Sequence, residues 1–230
     1  MTVTPETARS GKAGKVLTAA EELILKQGFK GVTMAAVAQR AKVGKGTTYL
    51  YWRTKEDLFL ELIVSNLAET LAGLAERVRV APELAVADEL CPAIAEAWLR
   101  RPLVRAVQTM DGDVLGALLD DPRARAIAVE NGAPALIKAL LPVWRERNLV
   151  RVDWSLQEQA DALELVLVGY FVTRTHGVGA GPDEASSGTL RRTVASVLQS
   201  GTPADAGPDV AEQVSAVLDG HAQRLLELVR

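Results

Sequence analysis

Cysteine is almost absent from this 230-residue chain. Cys91 stands alone, so neither an intramolecular disulfide nor a cysteine-based metal cluster is available. Histidine is nearly as scarce, with only His176 and His221, and no Ser/His/Asp, paired-carboxylate or glycine-rich phosphate motif accompanies them. Asp111-Gly112-Asp113 and Asp120-Asp121 do not continue into a calcium-loop pattern and read as turn and cap residues. The expectation is a protein that is not an enzyme and needs no cofactor or metal. Long apolar runs are missing too: residues 162–172 come nearest, and Glu164 interrupts them, which argues against a membrane span. The opening MTVTPETARSGKAGK has no apolar core of a secretion signal, so a cytoplasmic address is expected. No segment alternates apolar and polar residues over a strand's length, so the expected fold class is all-α.

Nearly half the residues are apolar, enough for a large packed core. The net charge of −3 conceals an asymmetry: residues 1–60 carry ten Lys/Arg against five Asp/Glu, and the other 170 carry 16 against 24. A basic head on an acidic body attracts a polyanion at one end only.

Residues 1–11 lack apolar periodicity and read as a flexible arm. From Lys12 to Gln27, Val16, Ala20, Leu23 and Ile24 fall at helical spacing, and Gly28 supplies a stop. Thr33 is placed to cap a second helix ending near Ala41. Lys42-Val43-Gly44 forms a turn, and a third short helix runs from Lys45 to about Trp52. Thr54 with Asp57 three residues on is a capping-box start for a fourth helix, whose Leu58, Leu62, Ile63, Leu67, Leu71, Leu74 and Val78 repeat over about six turns. Helical patterns continue at roughly 83–101, with Pro92 kinking or splitting the segment, and at 102–110, 122–147, 155–175, 186–200 and 208–229.

Two short helices about a tight turn, the second rich in polar and aromatic side chains, form the arrangement of a helix-turn-helix DNA reader. Val37, Ala38, Ala41 and Val43 supply the small apolar hinge that a steep helix crossing requires. Lys45 can reach guanine acceptors or phosphate, and Thr47 can donate while setting its methyl against thymine. The hydroxyls of Tyr49 and Tyr51 can reach phosphate oxygens, and Lys55 can join the amides that open the fourth helix in holding another. Trp52 reads as core.

These residues resemble the TetR family of one-component transcriptional regulators. The resemblance rests on Gly28-Phe29, Val32-Thr33-Met34, Val37-Ala38, Val43-Gly44-Lys45-Gly46-Thr47, Tyr49-Leu50-Tyr51-Trp52 and Lys55-Glu56-Asp57-Leu58, in order, over about residues 12–62. Two departures are visible: Gly44 stands where the family commonly has a serine cap, and Trp52 where it usually has phenylalanine. The resemblance implies a three-helix DNA-binding head at 12–58, joined by a long helix to an effector-binding and dimerisation domain at 59–230. It implies a repressor that holds a palindromic operator as a homodimer and is released by a small molecule, apolar or amphipathic given the apolar body. The alternatives are an effector-independent DNA binder and, more remotely, a helical enzyme. By position the DNA-contacting residues are Thr33, Lys45, Gly46, Thr47, Tyr49, Tyr51 and Lys55. Within the body, Trp98, Met110, Trp144, Tyr170, Phe171 and His176 are candidates for an effector cavity; the alternative is ordinary core packing for the first five and a surface or helix-end role for His176. The apolar stripe of the last helix and the nearly all-apolar 162–172 predict a four-helix dimer seam through Leu163, Leu167, Val214, Leu218, His221 and Leu225.

Overall fold

The computed structural model describes residues 11–175, 184–199 and 206–229. Its first helix, α1 (Gly11–Gly31), buries Val16, Leu17, Ala20 and Ile24 along one face. The helical run breaks at Gly28, where the backbone turns to φ 67° and ψ 169°. Thr33 then caps α2 (Met34–Arg40), its Oγ1 accepting from the Ala36 amide at 3.2 Å. The turn to α3 (Lys45–Tyr51) is closed by Val43 donating to the Ala38 carbonyl at 3.0 Å. The residue that takes the left-handed conformation there is Lys42, at φ 54°, while Gly44 is extended and serves as the N-cap of α3. A full capping box starts α4 (Lys55–Val80): the Asp57 amide donates to Thr54 Oγ1 at 3.0 Å and the Thr54 amide to Asp57 Oδ2 at 3.1 Å. Such a pair of caps stabilises a helix start by about 1 kcal/mol.

The body follows as a 3₁₀ turn (Pro82–Ala85), α5 (Ala87–Arg100), α6 (Pro102–Gln108), α7 (Gly112–Leu115), a second 3₁₀ turn (Gly116–Asp120), α8 (Pro122–Asn131), α9 (Ala133–Glu146), α10 (Leu156–Thr175), α11 (Glu184–Leu198) and α12 (Pro208–Glu227). Pro92 lies inside α5 without ending it. The segment expected as one helix over 122–147 is two, because Gly132 is extended and caps α9, with Pro134 in that helix's first turn. The region 112–120, outside the helical patterns expected from sequence, forms two short helical turns that prove central to the site.

The fourth helix is the axis of the molecule. It packs along α12, and Leu58, Leu62, Leu67, Leu71, Leu74 and Val78 are all buried. Each such side chain contributes roughly 1.5–3 kcal/mol of burial. α4 is long and apolar enough to span a membrane, yet 72% of that stretch lies inside the fold, where its apolarity serves the core. Around this pair, α11 packs on α5, and α9 packs on α10 and α12. Trp144 ties α9 to the first 3₁₀ turn, its indole N–H donating to the Ala85 carbonyl at 2.7 Å.

The proposed seam residues are placed otherwise than expected. Leu163, Leu167, Val214, Leu218, His221 and Leu225 are all buried within the single chain. The stripe on α12 does need a partner, and α4 of the same subunit supplies it. His221 Nδ1 lies 2.6 Å from an Arg224 guanidinium nitrogen. Burial, and then the Arg224 charge, pushes the His221 pKa down to about 4. What α10 leaves exposed is the opposite side, with Leu165 at 75% exposure and Val168 and Val172 also open.

Candidate nucleic-acid interface and effector cavity

On α3 one residue sets the orientation: Thr48 is 0% exposed and faces the head's core. Successive residues turn by about 100° in a helix, so Gly46 and Leu50 lie within about 20° of the outward direction. Thr47 and Tyr49 flank them, while Lys45 and Tyr51 sit nearer the core side with long side chains to reach past it. The exposures agree, with Leu50 at 85% and Tyr49, Tyr51 and Lys45 exposed. Lys45 Nζ lies 5.8 Å from the centre of the Tyr49 ring, which groups a cation and an amphipathic ring on one edge. Thr33 is exposed at the opening of α2, its hydroxyl oxygen engaged as a cap. Trp52 closes α3 from beneath: it is buried, and its indole N–H donates to Glu61 at 2.6 Å. Burial of Glu61 on α4 raises its carboxyl pKa, and the Trp52 bond works in the opposite direction.

Two residues depart from the expected pattern. Lys55 turns inward: its Nζ donates to the carbonyls of Phe29 at 2.8 Å and Val32 at 3.1 Å, and sits 4.0 Å over the Phe29 ring. The amine therefore fixes the α1–α2 turn, and its reach toward a phosphate is largely spent. Leu50 was missing from the expected contacts and is the most exposed large apolar side chain of the described residues. Sequence reasoning puts leucine inside and threonine outside; here Thr48 and Leu50 exchange those places.

The body holds a partly open cavity of about 280 Å³. Its long wall is α4, through Leu60, Ile63, Val64, Leu67 and Leu71. Trp98 of α5 and Phe171 of α10 stack at 5.8 Å to form an aromatic wall, and Leu115, Leu118 and Leu119 close the end nearest the head. The lining is apolar except for a few side chains, chiefly Gln108, Arg125 and Glu164. Of the expected effector residues, Trp98, Met110 and Phe171 line this cavity. Trp144 does not, because its ring is committed to the contact with Ala85. Tyr170 instead borders a shallow groove between α10 and α11, with the Arg174 guanidinium 5.4 Å from its ring. His176 lies outside the described residues.

The cavity and the head share a joint. Gly116 sits between Leu115 and Leu118 and adopts φ 52°; a Cβ there would fall 3.1 Å from Phe29 Cβ. Phe29 in turn packs edge-on against Phe59 at 5.4 Å. Gly28 approaches so closely that a Cβ would stand 2.3 Å from the Asp113 carbonyl oxygen. Arg123 bridges Asp57 of the α4 capping box at 2.6 Å and Asp121 at 2.9 Å. The hydrogen bonds from Arg123 hold both carboxyls below the usual range, and the two carboxylates raise Arg123 in turn.

Residues 16–62, which hold α2 and α3 and the start of α4, match the sequence profile of the bacterial regulatory proteins of the tetR family. These residues carry a DNA-binding domain of the tetR type. Over 56 residues the chain is 37% identical to QacR, an HTH-type transcriptional regulator of Staphylococcus aureus, covering 24% of the chain and 29% of QacR. It is 38% identical over 56 residues to YdeS of Bacillus subtilis, covering 24% and 28%. The chain thus spans less than a third of the length of these curated relatives. Likeness to solved structures extends further. The flavonoid-responsive regulator FrrA is 26% identical with a TM-score of 0.54, over 82% of this chain and 95% of its own. A TetR-family regulator from Mesorhizobium loti, 18% identical with a TM-score of 0.56 over 82% and 93%, shares the fold.

Proposed function

We propose that the chain is a ligand-responsive transcriptional repressor that binds a palindromic operator as a homodimer and is released by a small apolar or amphipathic effector. Residues 12–58 form the DNA-binding head in this reading, and 59–230 the effector-binding and dimerisation body. The observation that carries it is the shared joint: Leu115 and Leu118 line the cavity, and Gly116 between them lies so near Phe29 of the head that a Cβ there would stand 3.1 Å from Phe29 Cβ. A ligand that presses on these leucines displaces the surface on which α1 rests. It shifts DNA affinity to the extent that it prefers the displaced form, and DNA weakens ligand binding by the same factor.

On DNA, Thr33, Lys45, Gly46, Thr47, Tyr49 and Tyr51 make the contacts, with Lys55 supporting the fold of the head. The effector has mostly hydrophobic area, to match the lining, and one polar group to meet Gln108, Arg125 or Glu164. The exposed side of α10 is the dimer contact, because Leu165 and Val168 are open to solvent there. A protein of this kind works in the cytoplasm, where the DNA is. The test is selection of bound sequences from random DNA by the full chain. The expected product is an imperfect palindrome with half-sites about one helical turn, 34–36 Å, or a multiple apart. Enrichment of no sequence, or of an asymmetric site without repeated halves, overturns the reading.

A further inference from the structure

Leu50 and Gly46 share the outermost line of α3, and neither is explained by the packing of the head. Leu50 is 85% exposed, while Thr48 two residues earlier is fully buried. At Gly46 a Cβ would meet nothing within 4 Å, and the backbone is not in the left-handed region, so no internal contact calls for glycine. Glycine is nonetheless a weaker helix former than alanine. The missing side chain leaves room outside the protein, on the side that faces away from it. α3 has seven residues and is about 10 Å long, so both positions fit together in a major groove about 12 Å wide. Of the groups on the floor of that groove, the thymine 5-methyl is the apolar one.

We propose that Leu50 is a base-reading residue that packs on the 5-methyl group of one thymine in each half-site, with Gly46 admitting the α3 backbone close to the groove floor. The proposal rests on the DNA-binding reading above and adds a base class to it. Leu50 has no polar atom in its side chain, so it reads by shape and burial. Thr47 and Tyr49 on either side supply the polar contacts that set the register, and Tyr51 and Lys45 reach the backbone.

The test removes one methyl group at a time. An operator is first selected from random DNA with the full-length protein. Each thymine is then replaced singly by 2′-deoxyuridine, which lacks only the 5-methyl, and affinity is measured by fluorescence anisotropy. Burial of one methyl group corresponds to about a fourfold change in affinity, so about fourfold is expected for one half-site and about fifteenfold when both are changed. Leu50→Ala is a surface substitution that leaves the head folded. It should bind the thymine operator more weakly and show no further loss with deoxyuridine at that position. A selected operator on which the deoxyuridine scan is flat overturns the inference alone. So does a methyl effect that persists in Leu50→Ala, which would assign it to a neighbouring side chain. Failure to select any operator overturns the DNA-binding reading itself, and the inference falls with it.

Discussion

Gly28→Ala tests the joint between head and body at a single atom. The native backbone there, φ 67° and ψ 169°, lies in a region essentially reserved for glycine. Holding a residue with a Cβ in it costs about 1–3 kcal/mol. The added Cβ would stand 2.3 Å from the Asp113 carbonyl oxygen, an atom of the main chain that cannot swing aside. Relief requires α7 to move away from α1, and that motion pulls Gly116 off Phe29. With the lost packing included, the expected destabilisation is about 2–4 kcal/mol. For a chain of this length that corresponds to a fall in melting temperature of roughly 5–15 °C. Urea unfolding followed by circular dichroism measures it. Gly73→Ala serves as the reference, since a Cβ on that exposed face of α4 meets nothing within 4 Å. It should leave stability unchanged or raise it by up to about 1 kcal/mol. A loss below about 1 kcal/mol in Gly28→Ala would refute the description of the joint.

Gly46→Ala should separate stability from function: the melting temperature holds or rises, by up to about 1 kcal/mol in stability, while operator affinity falls. Equal or tighter DNA binding would remove the close approach of α3 to the groove. His221, with its pKa lowered to about 4, binds fewer protons folded than unfolded between about pH 4 and 6.5. Stability from this group is therefore present above pH 6.5 and is lost as pH falls toward 4, by roughly 1–3 kcal/mol. In His221→Gln the urea midpoint should vary less across that window, and the carboxylates that titrate there cancel in the comparison; parallel pH profiles would contradict the assignment. Leu165→Glu with Val168→Glu should yield folded monomers in sedimentation analysis, whereas Leu218→Glu should unfold the subunit, because Leu218 is fully buried inside it. A dimer that persists in the double variant places the contact elsewhere.

The head was legible because its signals are local. Gly28 as a break, Thr33 as a cap and the Thr54–Asp57 box each act within a few residues, and each stands where the sequence put it. What depends on distant partners was not legible. The stripe on α12 announces a buried face, but periodicity does not say whether α4 of the same chain or a second copy covers it. Lys55 looked like a phosphate ligand because nothing in its neighbourhood reveals two carbonyls brought in from the α1–α2 turn. Of three body tryptophans, Trp98 alone lines the cavity, since that depends on where α4, α5 and α10 converge. The exchange of Thr48 and Leu50 runs against ordinary residue preference, as expected where a surface is kept for a partner.

In the proposed mechanism, occupation of the body cavity weakens the grip of the head on DNA. It is tested most directly by measuring operator affinity with and without a saturating small molecule, whose binding is established independently from Trp98 emission with Trp98→Phe as the control. The account predicts that affinity drops by about 5- to 150-fold, and that saturating operator weakens the small molecule by the same factor. A compound shown to fill the cavity while operator affinity stays unchanged would contradict it.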